Sequence, residues 1–405
     1  MDFTTSEADD RSKPFDFDVT HRDLIHQVAF DHHGRRLATC SSDMTLSVWD
    51  RTPEGNWVKA ASWKVHGGAV WRVVWAHPEF GQLLATCSYD RSVHIWEEIR
   101  SAPGAEGRKG ARWVRKAYLT DSRANVTDIA FAPRHLGLML ATVSAQGIVR
   151  IYEAADVMDL SRWSLCHELQ AFYTRCGSVE WSRSRIHRPL LAVASDDKRA
   201  ENDERIVIYE HNENLRKWQR VISLRLDLAF PVTDLRFSPI ALADSHQLAV
   251  AAGDVHVYNI KIPVSAFVDD DNGTPENVPT DATEYSANKH LISRYTQDCA
   301  DTMSVRTQLM RNCVRALINT VSVAVLGDER HAWRIKYNVT GTALTASSGD
   351  GTVRVWKAMF VNQWALLAEM SSEDYLEERE LLKVKGVLSE TGRGDGEAYH
   401  RRTYY

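Results

Sequence analysis

The feature that most constrains this chain is a strand pattern that repeats six times. Each repeat has one strand ending in an aliphatic residue, any residue and an aromatic residue, and a later strand ending in an aliphatic-aromatic pair. Short runs of this kind, bounded by turn residues, predict antiparallel β-strands. The first motif occurs at Val28-Ala29-Phe30, Val73-Val74-Trp75, Ile129-Ala130-Phe131, Val179-Glu180-Trp181, Leu235-Arg236-Phe237 and Ile335-Lys336-Tyr337, and the second at Val48-Trp49, Ile95-Trp96, Ile151-Tyr152, Ile208-Tyr209, Val257-Tyr258 and Val355-Trp356.

The repeats keep one internal register, with offsets between the two aromatic residues of 19, 21, 21, 28, 21 and 19 positions. A further strand candidate follows each repeat, at 57–63, 113–119, 164–169, 218–226, 318–326 and 364–370. Four strands per repeating unit are typical of a β-propeller blade, whereas a β-sandwich does not require the register to persist. The predicted fold is therefore all-β, with six blades.

The domain organisation follows from where the repeats begin and end. The propeller is predicted at 21–370, with an inserted, solvated loop at 263–315 that is rich in Asp, Asn, Thr and Pro. Residues 1–20 form a flexible acidic N-terminus, in which Phe15, Phe17 and Val19 alternate as in a short strand, and 371–405 form a charged, partly mobile C-terminal tail.

Composition and motifs exclude several functions. A net charge of −5 gives no general attraction to nucleic acid or acidic membranes, and no apolar run approaches the ~20 residues of a membrane span. Six cysteines without a C-x-x-C pair predict reduced thiols in a cytosolic or nuclear protein. His167-Glu168 lacks the second histidine of a zinc-protease helix, and no phosphate-binding loop occurs. We therefore expect no metal, cofactor, small-molecule substrate, direct nucleic-acid contact or membrane insertion.

Serine, histidine and aspartate recur at matching places, which raises the question of a hydrolase triad. Their recurrence argues against catalysis, since an enzyme needs one site whereas each repeat needs its own hydrogen-bonded network. We predict a structural network at His21, Ser41, Asp43, Trp49, His66, Ser88, Asp90, Trp96, Ser348, Asp350 and Trp356. The pattern resembles WD repeats, although Gln146 replaces the turn aspartate of the third unit. The chain is not expected to be an enzyme.

Ring closure is the next constraint. The sixth blade has its own fourth strand candidate, so no strand from the N-terminus is needed to complete it. We expect the ring to be open between the first and last blades, unless the strand candidate at Phe15 to Val19 closes it. The exposed apolar seam would then require a partner, and a donated blade would bury on the order of 2,000 Å². The apolar candidates for this partner interface are Val28, Phe30, Leu37, Ile335, Tyr337, Val353 and Val355.

Longer stretches of the sequence resemble one particular family of WD-repeat proteins. Stretches 23–43, 61–98, 126–165 and 333–358, notably AHPEFGQ and RHLGLMLAT, resemble the Sec-thirteen-homologue family of WD-repeat nucleoporins. The resemblance implies an open six-bladed scaffold at the nuclear envelope, in the Y-shaped subcomplex of the nuclear pore, completed by a blade that an α-solenoid nucleoporin donates. It also implies a second assembly, the GATOR (SEA) complex, with its WD-repeat and solenoid subunits, at the cytoplasmic face of the lysosome or vacuole and acting on TOR signalling.

An alternative function belongs to another class. A closed WD-repeat propeller could serve as a peptide-reader adaptor, with Arg72 and Arg334 as reading residues on its rim. These two arginines precede the aliphatic residue of the second and sixth repeats, where a solvated rim is the simpler interpretation.

Overall fold

The computed structural model describes residues 19–100, 111–197, 204–213, 215–225, 230–240, 245–261, 320–326, 331–360 and 363–371. Their strands form six four-stranded antiparallel sheets, each built from four consecutive strands. The first three blades contain β1 (Ile25–Phe30), β2 (Arg36–Ser41), β3 (Thr45–Arg51) and β4 (Trp57–Lys64); β5 (Val70–Trp75), β6 (Leu83–Ser88), β7 (Val93–Arg100) and β8 (Ala111–Leu119); and β9 (Val126–Phe131), β10 (Met139–Ser144), β11 (Ile148–Ala154) and β12 (Trp163–Gln170).

The second half of the ring repeats this arrangement. Blades four to six contain β13 (Cys176–Trp181), β14 (Leu190–Ser195), β15 (Glu204–Asn212) and β16 (Lys217–Arg225); β17 (Asp234–Phe237), β18 (His246–Ala252), β19 (Asp254–Ile260) and β20 (Thr320–Leu326); and β21 (Ala332–Tyr337), β22 (Ala343–Ser348), β23 (Thr352–Phe360) and β24 (Gln363–Ser371). The first strands of successive blades lie beside one another from β1 to β21, which places them nearest the axis of a six-bladed β-propeller. The predicted fold class, blade number and strands are confirmed.

A β-bulge explains the aliphatic-aromatic pair of the third strand. In all six blades the pairing of the third with the fourth strand shifts register between these two residues, as at Val48/Trp49 and Val355/Trp356. Because a bulge inserts one residue, it turns the aromatic side chain away from the strict alternation of the strand. The aliphatic and aromatic residues can therefore pack against different neighbouring blades.

The strings AHPEFGQ and RHLGLMLAT have a shared conformation. Each forms a one-turn 3-10 helix between the first two strands of its blade, at Pro78–Phe80 and Arg134–Leu136. Each ends at a glycine, Gly81 with φ 89° and Gly137 with φ 86°. This left-handed backbone region strains residues that carry a Cβ, so the glycine is required by the turn.

The core is divided among the junctions between blades. Five clusters of buried apolar side chains join blades one and two, two and three, three and four, four and five, and five and six. In each junction, two aliphatic residues of a third strand pack on the first two strands of the next blade, as Val48 does on Val70 and Val73. No such cluster joins blades six and one within the described ranges.

The predicted segments outside the repeats lie largely beyond the described residues. These segments are 1–18 with Phe15 and Phe17, the insertion at 263–315 and the tail from 372 onward. Among the strands that the structure describes, none from the N-terminal segment joins blade six. The described part of the chain also contains no helix long and apolar enough to span a bilayer.

Candidate functional site

Blade two shows how the recurring polar residues are used. His66 Nδ1 lies 3.1 Å from Asp90 Oδ2, and His66 Nε2 lies 2.9 Å from Thr86 Oγ1. Trp96 Nε1 donates to the same Thr86 hydroxyl at 3.2 Å. The Ser88 hydroxyl donates instead to the carbonyl oxygen of Ala69 at 2.8 Å. The predicted residues Ser88 and His66 therefore do not form a nucleophile-base pair, because their hydrogen bonds run to different partners. The serine that His66 Nδ1 does approach, at 3.2 Å, is Ser92, whose hydroxyl donates to Asp90 at 2.6 Å within the turn.

Blade one repeats this geometry. His21 Nδ1 lies 3.1 Å from Asp43 Oδ2 and His21 Nε2 lies 2.8 Å from Thr39 Oγ1, while Trp49 Nε1 donates to Thr39 Oγ1 at 3.2 Å. Ser41 Oγ donates to the carbonyl oxygen of Asp23 at 3.0 Å. The threonine at the centre was missed by the sequence reasoning, although the repeated string Ala-Thr-Cys-Ser in both blades carries the signal. One such network within a blade joins its strands and satisfies buried polar atoms.

Blade six keeps only part of this arrangement. Asp350 accepts hydrogen bonds from Thr352 N at 2.9 Å and Thr352 Oγ1 at 2.6 Å, and Ser348 Oγ accepts from Arg354 Nη1 at 3.4 Å. Trp356 is buried in the core between blades five and six. The turn is thus preserved, but no histidine links it to the strands as His21 and His66 do.

The buried imidazole of His94 lies next to the blade-two network, and acidification should reveal its contribution to the free energy of unfolding. Burial, with the neighbouring His66 ring stacked at 3.9 Å, lowers the pKa of His94 to about 3. In the unfolded chain a histidine has a pKa of roughly 6.5, so below that pH the unfolded state binds a proton that the folded state refuses. The free energy of unfolding therefore falls as the pH drops from 6.5 towards 3.

We expect His94→Gln to flatten this dependence. Between pH 7 and pH 5 the wild type should lose about 2 kcal/mol through this group, and the variant should not. Urea unfolding at the two pH values measures the difference, with the exposed His33→Gln as the control. The two network carboxylates, Asp43 and Asp90, do not contribute to the pH dependence of stability above pH 5. Burial opposes their ionisation, but hydrogen bonds, including those from His21 and His66, hold the pKa of both groups well below the usual range. Equal losses in variant and wild type would contradict the assignment.

A second polar cluster, which we call the central cluster, occupies the first strands around the axis. It comprises Arg72, Asp128, Ser178, Glu180, Asp234 and Arg236. Arg72 is 1% exposed, and its Nε lies 2.9 Å from Asp128 Oδ1. Its placement corrects the interpretation of Arg72 as a solvated rim residue, because the arginine is buried between two carboxylates, Asp128 of blade three and Asp234 of blade five.

The central cluster connects blades two to six. Ser178 Oγ donates to Asp128 Oδ2 at 3.1 Å and to Asp234 Oδ1 at 3.2 Å, and Arg236 Nη1 donates to Glu180 Oε2 at 2.6 Å. Burial alone would raise the pKa of Asp234, but Arg236, Arg72 and Arg334 hold it below its usual value. Asp234 is therefore held in its ionised form, whereas burial raises the pKa of Glu180 in spite of the nearby Arg236. The hydrogen bonds of the cluster tie the first strands together. Groups of histidine, cysteine and acidic residues suited to a metal ion do not occur in the part of the chain that the structure describes.

The outward face of blade one is exposed where the corresponding faces are buried. Val28 is 41% exposed, whereas the residues at the same register position in the other blades, from Val73 to Ile335, are 0–2% exposed. Ile25 and Phe30 are 40% and 54% exposed on the same face. Phe30 contacts the Trp57 ring, with centroids 5.8 Å apart, and pairs across the strands with Leu37, which is 3% exposed. We call Ile25, Val28, Phe30 and Leu37 the blade-one terminal face.

Blade six presents the complementary face. In blades one to five, two third-strand aliphatic residues and two small second-strand residues pack on the next blade, for example Val48 with Ala38 and Cys40. The equivalents in blade six are Thr345, Ser347, Val353 and Val355, which are all half-buried. We call these four residues the blade-six terminal face. Thr345 and Ser347 were missed by the sequence reasoning, although comparison of the second strands of the repeats would have shown polar residues where the other blades have Ala, Cys or Val.

The sequence-derived interface residues separate into two groups. Val28, Phe30 and Leu37 lie on the blade-one terminal face, and Val353 and Val355 lie on the blade-six terminal face. Ile335 and Tyr337 instead pack in the core between blades five and six, so their side chains point away from the terminal faces. Alternation along β21 separates the two sides of the strand, but only the assembled ring shows which side faces the neighbouring blade.

Six four-stranded blades, of which the first two carry an Asp, His, Thr and Trp network, define a WD-repeat β-propeller. The family model for the WD domain, G-beta repeat, matches residues 16–50, 57–97 and 321–357. The chain is 53% identical over 385 residues to nucleoporin SEH1 of Caenorhabditis elegans, covering 95% of each chain. It is 42% identical over 346 residues to nucleoporin SEH1 of Homo sapiens, covering 85% of this chain and 84% of the relative, and 41% identical over 355 residues to nucleoporin SEH1-A of Xenopus laevis, covering 87% of each. The chain belongs to the nucleoporin SEH1 family.

Proposed function

We propose that this chain is a non-enzymatic scaffold subunit of the nuclear pore complex, in its Y-shaped subcomplex. In this proposal the two terminal faces receive a β-blade donated by an α-solenoid nucleoporin. The observation that carries it is the exposure of Val28 and the half-burial of Val355 at positions where every other blade is buried. Apolar surface of this kind is typically covered by a partner, and strand addition supplies main-chain hydrogen bonds as well.

The geometry favours a blade over a peptide on the rim. The alternative peptide reader requires Arg72 to be accessible, but its guanidinium is enclosed by the central cluster. The terminal faces instead offer flat, aliphatic surfaces with the same register as the five buried junctions. A β-sheet therefore matches them better than an irregular segment does.

Affinity purification of the full chain from its native cells, followed by hydrogen exchange, tests this function. We expect a stoichiometric α-solenoid partner whose binding slows amide exchange in β1 and β22 to β23, while β13 to β16 on the opposite side of the ring remain unchanged. The proposal fails if the chain is recovered without a stoichiometric partner, or if the partner protects another surface and leaves the terminal faces as they are.

We propose further that the same faces serve a second scaffold, the GATOR (SEA) complex at the cytoplasmic face of the lysosome or vacuole, in TOR signalling. Support for this proposal comes from the family resemblance of the repeat strings. Since one pair of faces admits one blade, the two assemblies would contain separate copies of the chain. Partner-specific purification should then never recover both solenoid partners with one copy.

A further inference from the structure

In each first strand a polar residue precedes the recurring aliphatic residue. Around the ring, these polar residues alternate between hydrogen-bond acceptors and hydrogen-bond donors. In blades one, three and five this residue accepts the backbone N–H of the next blade: Gln27 Oε1 from Val73 at 2.9 Å, Asp128 Oδ2 from Val179 at 3.0 Å, and Asp234 Oδ2 from Ile335 at 3.1 Å. In blades two, four and six the position holds Arg72, Ser178 and Arg334.

The even-numbered blades donate to the blade that follows. Arg72 Nη2 donates to Asp128 Oδ2 at 3.1 Å, and Ser178 Oγ donates to Asp234 Oδ1 at 3.2 Å. Arg334 is the third member of this set and the last in the chain. Within the described ranges it makes no hydrogen bond or ion pair, although it lies close enough to Arg72 and Arg236 to be repelled by them. Asp234 and Asp128 attract it, and the next position of the alternation, Gln27 of blade one, accepts from Val73 N and makes no hydrogen bond with Arg334 in the described ranges. In the proposed assembly an inserted blade stands between Arg334 and Gln27.

A second cation lies two residues further along the same strand. Lys336 is exposed, and its Nζ reaches the carbonyl oxygen of Val28 at 3.2 Å, across the gap between blades six and one. Partial burial and the field of Arg236, Arg72 and Arg334 lower the pKa of Lys336 to about 8, against the opposing effect of Asp234. Among the described residues around the axis, the four cations Arg72, Arg236, Arg334 and Lys336 outnumber the three carboxylates Asp128, Glu180 and Asp234. The uncompensated positive charge is thus located at the gap.

We propose that the innermost strand of the donated blade carries an aspartate or glutamate that pairs with Arg334 and Lys336. This inference rests on the proposed function, and it specifies the chemistry of the partner: a β-strand with a carboxylate at the level of Arg334 and Lys336. Strand insertion beside β21 separates Lys336 from Val28, so the carboxylate also replaces the hydrogen bond that the amine loses. A buried charge without such a partner opposes insertion.

The test uses the full chain in complex with the solenoid partner recovered above. A carbodiimide, which joins amines to carboxylates in direct contact, should link Lys336 to one acidic residue of the donated strand, as read by mass spectrometry. Arg334→Gln should weaken partner binding about 10- to 100-fold, since charge-assisted hydrogen bonds are among the strong ones. The exposed Arg123→Gln on the loop between blades two and three is the matched control, and Lys357, exposed on β23, is the control amine.

Two results separate this inference from the proposed function. If the complex forms and protects the terminal faces, but Lys336 is not linked to a partner carboxylate and Arg334→Gln binds as tightly as wild type, only the inferred ion pair is wrong. If no partner covers the terminal faces of the wild type, both fail. Restoration of binding to Arg334→Glu by a lysine at the linked partner residue would support the pair directly.

Discussion

Replacement of Asp128 by alanine is expected to lower the free energy of unfolding by about 3–5 kcal/mol. Asp128 is 1% exposed and holds three blades together: it pairs with Arg72 of blade two and accepts hydrogen bonds from Ser178 and Val179 of blade four. Its removal leaves the guanidinium of Arg72 buried beside Asp234 alone, at 3.5 Å, and leaves the Val179 N–H without its acceptor. An uncompensated buried charge costs more than the pair itself contributes.

Chemical denaturation of three variants checks this expectation. Asp128→Asn keeps the shape and one acceptor, so it should fall between wild type and alanine and provide a folded protein if alanine does not fold. Asp159→Ala, in an exposed ion pair with Arg162, is the control and should change stability far less than Asp128→Ala does. The double change Arg72→Met with Asp128→Leu should be less destabilising than the sum of the single changes. Stability of Asp128→Ala within about 1 kcal/mol of wild type would contradict the role assigned to the central cluster.

The repeating register was sufficient to predict the blades because it follows from requirements of local structure. An aliphatic-aromatic pair such as Val355-Trp356 marks a bulge that every third strand needs, and the strings around Pro78 and Arg134 mark one turn conformation. These requirements act over a few residues, so they are visible without knowledge of the ring. The interruption after Tyr258 was likewise visible, because the sequence doubles its period there.

Features that depend on the assembled ring were not predicted. Arg72 and Asp128 lie 56 positions apart, and only convergence of the first strands on the axis brings them together. A column of Gln27, Arg72, Asp128, Ser178, Asp234 and Arg334 was present in the sequence. The role of this column depends on the burial of this side of each strand, which the sequence does not show. On a solvated rim, the same residue types would interact with water and not with one another.

The two terminal faces also differ in polarity. Blade one presents aliphatic and aromatic residues, led by Val28 and Phe30, whereas blade six mixes Val353 and Val355 with Thr345 and Ser347. Hydroxyl groups lower the cost of leaving a face in water, because they can hydrogen-bond to water. Under the proposed function, this polarity would help the free chain to remain soluble before a partner blade covers the face.

Val355→Asp is expected to weaken binding of the donated blade at least about 100-fold while leaving the free propeller folded. In the free chain Val355 is half-buried, so a carboxylate there can remain hydrated. Insertion of a blade would remove that hydration without providing a cation, and an unpaired buried charge costs several kcal/mol. Equilibrium binding to the purified partner, with thermal melting of the free variant, measures both effects.

Matched variants distinguish a terminal face from a core and from an ordinary surface. Val257→Asp, at the same register position in blade five, is 0% exposed and should prevent stable folding, because blade six already covers it. Val325→Asp, on the exposed outer strand of blade five, should affect neither folding nor partner binding. If Val355→Asp unfolds the free chain as Val257→Asp does, this position is part of a closed core and no partner blade is needed. If it stays folded and binds the partner as wild type does, the solenoid attaches elsewhere. Only a folded variant that has lost its partner fits a ring whose seventh sheet comes from another protein.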